Sequence, residues 1–301
     1  MKKIIIALVI ILIVGIGIYY GTRNSDTTTQ VTDNSVATST SETSSTGTTT
    51  SETNKPETVI GKSVENRDIT AYHYGTGSKE LLFIGGIHGG YEWNTSLVAY
   101  EMMDYLRQNP SVIPANVKVT VIPVLNPDGL QKVVGTTTKF TVADVNTSQT
   151  VQVVGRFNAR NVDLNRNFDC DWQASAKWQT RTVSGGTAAF SEPESMALKN
   201  YVATHPPTAV VAYYSAAGGV YASNCHNGVL EETTNLTKIY ADASKYPAHN
   251  EFNFYEITGD MVNWFAKNNT PAISVLLTNH TDTEWSKNKA GIDAVLKHYA
   301  Q

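Results

Sequence analysis

From about residue 59 to the end, short apolar runs alternate with stretches of helical period, and this alternation narrows the folded part to few architectures. Leu81-Leu82-Phe83-Ile84 reads as a buried strand ending in Gly85-Gly86, and residues 95–108 as a helix with Leu97, Tyr100, Met103 and Leu106 on one face. Residues 117–124 form a second strand, closed by the turn signal Asn126-Pro127-Asp128-Gly129. Ser191-Glu192-Pro193-Glu194 opens a helix with Ser191 as its expected cap. Residues 209–214 and 272–277 are strands, 230–245 and 283–299 helices, and Asp260 caps a helix starting near Met261. Short apolar strands separated by helices predict an α/β fold: a mostly parallel mixed sheet flanked by helices on both faces. In such sheets ligands sit outside the carboxyl ends of the strands, so the residues that follow each strand carry the functional argument.

The first sixty residues have a different character. Residues 4–20 carry no charge, with Lys2 and Lys3 before them and Arg23 after. As a helix this run spans about 25 Å, near the lower limit for crossing a bilayer. No small-x-small site follows it, so residues 1–22 are expected to be an uncleaved anchor; a cleaved signal peptide is the alternative. The lysines put the short side in the cytoplasm, and either reading exports the remainder. Residues 23–58 are dominated by Ser and Thr and read as a disordered stalk. The expected arrangement is a single-pass protein of the cell membrane, held through residues 4–20, with an extracytoplasmic domain at 59–301. Its 23 basic and 27 acidic residues leave no electrostatic footprint for nucleic acid. Two cysteines exclude a disulfide scaffold or a cysteine-rich zinc module.

Residues at the strand ends narrow the chemistry. The first strand runs into Gly85-Gly86-Ile87-His88-Gly89-Gly90-Tyr91-Glu92. An imidazole and a carboxylate in a glycine-rich turn suit zinc, although such pairs also occur without metal. Further on come Arg156-Phe157-Asn158 and Val162-Asp163-Leu164-Asn165-Arg166-Asn167-Phe168. A guanidinium beside an amide makes a fork for a carboxylate. The alternative is a structural Arg paired with Asp163 or Asp169.

In order, His-x-x-x-Glu, Asn-Pro-Asp-Gly, Arg-x-Asn, Val-Asp-Leu-Asn-Arg-Asn-Phe, Phe-Ser-Glu-Pro-Glu and Tyr255-Glu256-Ile257-Thr258-Gly259-Asp260 before Trp264 resemble the zinc carboxypeptidase (M14 peptidase) family over residues 60–300. The resemblance implies zinc held by His88 and Glu92, an oxyanion-stabilising Arg156, a clamp of Asn165 and Arg166 for the substrate's terminal carboxylate, and a substrate-binding Tyr255. The usual family spacing is His-x-x-Glu; here one more residue intervenes, while Glu92-Trp93 still lines up.

Two positions depart. Tyr214 stands where the family has its second ligand histidine, and Leu276 where it has the general-base glutamate. A tyrosine, with a pKa near 10, is a poor zinc ligand at neutral pH, and leucine accepts no proton. The expectation is therefore a carboxypeptidase-like domain that meets peptide or protein C-termini outside the cell, with impaired or lost catalysis and weak or absent zinc. The alternative is an active exported zinc carboxypeptidase acting on peptides or cell-wall peptide stems. His226 and His280 are expected to be surface or loop histidines that do not take the lost roles. Cys170 and Cys225, on loops at the site's end of the sheet, are expected to form one disulfide, with two free thiols as the alternative and zinc ligation the least favoured.

Overall fold

The protein is described by a computed structural model over residues 55–301. The expected anchor and nearly all of the expected stalk lie outside the described residues, and among the described residues no helix is long and apolar enough to cross a membrane. An eight-stranded sheet runs, in spatial order, β1 (Glu57–Lys62), β2 (Asp68–Tyr74), β4 (Val117–Ile122), β3 (Lys79–Ile84), β7 (Ala209–Ser215), β10 (Ala272–Leu277), β8 (Gly219–Ala222) and β9 (Ala248–His249). The central strands β4, β3, β7 and β10 are mutually parallel, while β2 and β8 join antiparallel at their flanks. A separate hairpin, β5 (Ser175–Trp178) and β6 (Arg181–Ser184), stands apart from this sheet. The helices are α1 (Trp93–Gln108), α2 (Pro127–Val134), α3 (Gln149–Val154), α4 (Pro193–Thr204), α5 (Glu231–Ser244), α6 (Met261–Lys267) and α7 (Trp285–Tyr299). β1 begins two residues ahead of the expected domain boundary at 59.

The period of two along each strand divides the interior into two cores. Leu81 and Phe83 of β3, Val211 and Tyr213 of β7, and Val275 and Leu277 of β10 pack in a cluster with Leu97 of α1, Leu236 of α5 and Val295 of α7. Their neighbours Leu82, Ile84, Val210, Ala212, Tyr214 and Leu276 face the opposite way, with Leu198 of α4 and Phe265 of α6. Helices thus cover both faces, as the apolar runs predict.

Two local expectations are corrected. Asn126-Pro127-Asp128-Gly129 is not a free turn but the start of α2: the Asn126 side chain accepts from the Gly129 N–H at 2.8 Å, and Pro127 occupies the first turn. The side-chain oxygen that favours a turn also caps a helix. Ser191 is not the cap of α4; that position is Glu192, which makes no side-chain cap bond. Ser191 Oγ instead accepts from Asn167 Nδ2 and donates to Glu192 Oε1, both at 3.0 Å.

Cys170 and Cys225 are bonded, 55 residues apart in sequence with Cα atoms 6.1 Å apart. On the chain-entropy model this cross-link stabilises by about 4 kcal/mol. A C170S/C225S chain is expected to lose that amount in urea unfolding; an unchanged midpoint would show that the denatured state gains nothing from the bridge.

Candidate functional site

Every residue that the resemblance singles out lines one cavity of about 830 Å³ at the carboxyl ends of β3, β7 and β10. His88, Glu92, Arg156, Asn165, Arg166, Tyr214, Tyr255 and Leu276 all border it. The turn after β3 is tight: a Cβ at Gly89, with φ +44°, would lie 2.8 Å from the Gly129 backbone. That turn brings His88 Nδ1 to 2.9 Å from Glu92 Oε1 and Nε2 to 3.3 Å from Asp163 Oδ1. Neither contact has the direction of a hydrogen bond, so both nitrogens of this buried ring lack one.

Arg156 is nearly fully buried and runs between two carboxylates. Its Nε and Nη2 reach Asp163 Oδ2 at 2.9 and 2.8 Å, and its Nη1 stands 3.6 Å from Glu92 Oε1. Its guanidinium carbon sits 4.3 Å from the Trp178 ring centroid, a cation–π contact supplied by the β5–β6 hairpin. The pairing of an arginine with Asp163, the alternative reading of the sequence, is therefore real, and Arg156 still borders the cavity. Burial would raise the Asp163 carboxyl, but Arg156 and His88 outweigh it and hold the group well below the usual carboxylate range. Burial likewise opposes, and His88 and Arg156 overcome it, in lowering Glu92.

A depressed carboxyl contributes stability that is complete above its unfolded pKa of about 4 and is lost as pH falls through the folded value. Asp163→Asn leaves Arg156 buried and half paired, so it is expected to cost about 3–5 kcal/mol at pH 7. It should also flatten the loss of stability below pH 4. Urea unfolding at pH 7 and pH 3 checks both; a near-neutral effect would mean that water reaches Arg156.

Asn165 and Arg166 are held from beneath. Asn165 Nδ2 donates to Asp260 Oδ2 at 2.8 Å, while its Oδ1 accepts from the Met261 N–H at 3.1 Å and from the Tyr214 hydroxyl at 3.3 Å. One N–H of its amide is left for a ligand. Arg166 donates from Nε to Lys177 O at 2.8 Å and from Nη1 to Asn165 O at 2.5 Å, and Nη2 has no protein partner among the described residues. Tyr255 stands across from it, its ring centroid 5.9 Å from the guanidinium carbon. Gly259, at φ +64°, permits this closure, since a Cβ there would lie 2.2 Å from Arg166 O. Asp260 caps α6 through the Asn263 N–H at 3.0 Å, as the sequence predicts.

Tyr214 and Leu276 are in register on parallel strands and border the cavity together. The Tyr214 ring centroid is 5.8 Å from that of His88. Burial, then Asp260 and Glu92, push its phenol well above 10. Trp178, on the hairpin, and His280 are cavity residues to which the sequence assigned no role. His280 lies in the loop after β10, as expected, but is half-buried at the cavity: its Nδ1 and Ser215 Oγ are 2.8 Å apart and share a hydrogen bond, and the ring packs 4.7 Å from that of Tyr91. Burial lowers its pKa below the ordinary imidazole range. His226 is exposed and lies away from the cavity, as expected.

The sequence model of the zinc carboxypeptidase family matches residues 48–285. The chain belongs to that family. Over 288 residues it is 25% identical to carboxypeptidase D of Drosophila melanogaster, covering 79% of this chain and 19% of that protein. Over 122 residues it is 33% identical to carboxypeptidase Z of Gallus gallus, covering 36% of this chain and 18% of that protein. The chain thus spans about a fifth of the length of these relatives. The carboxypeptidase A structure from Helicoverpa armigera superposes with a TM-score of 0.63 at 19% identity, covering 81% of this chain and 66% of that one. The murein-tripeptide amidase MpaA of Escherichia coli O157 gives 0.56 at 21%, covering 80% and 90%. These structures share the fold.

Zinc is the family's metal, and the residues here meet its needs only in part. The orphaned nitrogens of His88 and the adjacent Glu92 suit a cation. Tyr214, which borders the same cavity, is neutral and tied to Asn165. Among the described residues the only three ligand atoms of His, Cys, Asp or Glu that converge within 4.8 Å are those of Cys170, Asp171 and Cys225, and these cysteines are bonded to each other. His280, Asp260, Glu251 and Glu256 also border the cavity, but among the described residues none of them converges with both His88 and Glu92 within 4.8 Å, so the three-ligand arrangement of a catalytic zinc site is not assembled here.

Proposed function

We propose that this chain is a carboxypeptidase-like recognition domain that holds the C-terminal carboxylate of a peptide or protein without efficient hydrolysis. One observation carries the reading: Tyr214 and Leu276 stand side by side at the cavity while Arg166, Asn165 and Tyr255 remain around it. The free Nη2 of Arg166 and the remaining Asn165 N–H offer charge-assisted hydrogen bonds to a carboxylate, and Tyr255 closes over it. Arg156, already spent on Asp163, supplies positive field rather than a fresh fork. At the buried end of the cavity Glu92 is engaged and held ionised by His88 and Arg156, and Asp260 is bonded to Asn165 and to the Asn263 N–H, so neither carboxylate is free to serve as a general base. Residues 4–20 would hold this domain at the outer surface of a membrane, facing extracellular C-termini.

The test is metal content and turnover. After loading with zinc and dialysis, the oxidised chain is expected to retain well under one equivalent and to show no chelator-sensitive peptide cleavage. One zinc per chain with chelator-sensitive turnover overturns the reading in favour of an active peptidase.

A further inference from the structure

We propose that the Cys170–Cys225 corner, once its disulfide is reduced, is a binding site for a soft divalent cation of the zinc class, built from Cys170, Cys225, Asp171 and His226. The corner lies outside the cavity residues used above, so the inference stands independently of the proposed function.

Four donors of the kinds zinc prefers come together here. The ligand atoms of Cys170, Asp171 and Cys225 lie within 4.8 Å of one another. Cys170 Sγ is 3.9 Å from Asp171 Oδ2. His226 lies outside that group but is joined to it through Asp171, its Nε2 2.5 Å from Asp171 Oδ1. The donors arrive as two adjacent pairs: Cys170-Asp171 follows the Asn165-Arg166 turn, and Cys225-His226 follows β8. The cysteines are buried while Asp171 and His226 are exposed, so two sulfurs lie at the base and two exchangeable ligands face solvent. Tetrahedral zinc, with Zn–S about 2.3 Å, holds two thiolates about 3.8 Å apart. With the Cα atoms 6.1 Å apart, rotation of the two cysteine side chains would supply that spacing.

The chemistry balances with a dithiol or phosphine reductant. A phosphine and water cleave the S–S bond to give two thiols and the phosphine oxide. The cation then displaces both thiol protons as two metal–sulfur bonds form, with neutral His226 and ionised Asp171 completing the set. One cross-link is exchanged for another between the same loops. The corner is also tied to the cavity: the Gly259 N–H donates to Cys170 O at 2.7 Å and the Phe168 N–H to Gly259 O at 3.0 Å, immediately beside Asp260 and its partner Asn165.

Cobalt(II) is the probe, titrated into the full chain in detergent with and without phosphine reduction, while circular dichroism follows the fold. The reduced chain is expected to take up one equivalent with a near-ultraviolet thiolate-to-cobalt charge-transfer band, bleached by zinc. The oxidised chain should give no such band, since His88 and Glu92 bring no sulfur. C170S/C225S should abolish the band. D171A and H226A, at exposed side chains, should each weaken cobalt affinity at least about tenfold. No band in the reduced chain overturns the proposal. So does a band in a chain that has lost its fold, or one that D171A and H226A leave unchanged.

Discussion

Changing Tyr214→His together with Leu276→Glu is expected to create stoichiometric zinc binding and efficient peptide hydrolysis. The geometry argues for the pair rather than for either change alone. The Tyr214 ring lies 5.8 Å from His88, so an imidazole there would complete the ligands that His88 and Glu92 begin. Leu276 is Tyr214's register partner on β10, so a carboxylate in its place would enter the same cavity. Tyr214→His alone should raise zinc retention toward one equivalent with little turnover. Leu276→Glu alone should bury an unpaired carboxylate and gain nothing. Adding the glutamate to the histidine variant should raise the rate by about 10²–10⁴, the usual worth of a general base. Metal analysis and a chelator-controlled peptide assay on all four proteins read this directly. A double variant with neither zinc nor turnover would mean that the cavity is not arranged as the family's chemistry requires.

Amidating a peptide's C-terminus is expected to weaken its binding by about 10²-fold. Hydrogen bonds to a charged group are worth about 1.5–3 kcal/mol each, and amidation removes the charge from the group facing Arg166. Arg166 is the residue to test, because its Nε and Nη1 are used within the protein and Nη2 is left toward the cavity. Arg166→Lys keeps the charge but loses the fork, so it should bind free C-termini poorly and discriminate less against the amide. His226→Ala, at an exposed side chain that does not line the cavity, should match the parent. Calorimetry with a matched acid and amide peptide pair decides it; equal affinities would remove carboxylate recognition from the account.

Much of the architecture was legible because buried strands announce themselves. The runs that became β3, β7 and β10 are predominantly apolar (81–84, 209–214, and 272–277 with Ser274 alone polar), as strands covered on both faces tend to be, while β4 shows through Val117, Val119, Val121 and Ile122 despite Lys118 and Thr120. β1 and β2, at the edge and partly exposed, carry no such run, and neither does the β5–β6 hairpin. Asn126 was misread because turn and helix cap draw on the same side-chain oxygen. That the loop residue His280 borders the cavity was not legible, because its place depends on how the loop after β10 returns over Ser215 and Tyr91, which strand periodicity does not encode. Trp178 reaches Arg156 because the β5–β6 hairpin folds back beside Val162, to which Ser184 is bridged.

The sequence by itself determined the family, the sheet, the cysteine pair and the two departures at Tyr214 and Leu276. Each is a matter of residue identity at a strand end or within a local motif, and such signals survive without coordinates. Only the tertiary structure decided that these two residues are partners across one cavity, that Arg156 is committed to Asp163, and that Asn165 keeps one N–H to offer. Those facts depend on which buried charges neutralise one another and which donors are already engaged. Burial makes that pairing obligatory, and residues far apart in sequence meet its demand only when the chain has folded.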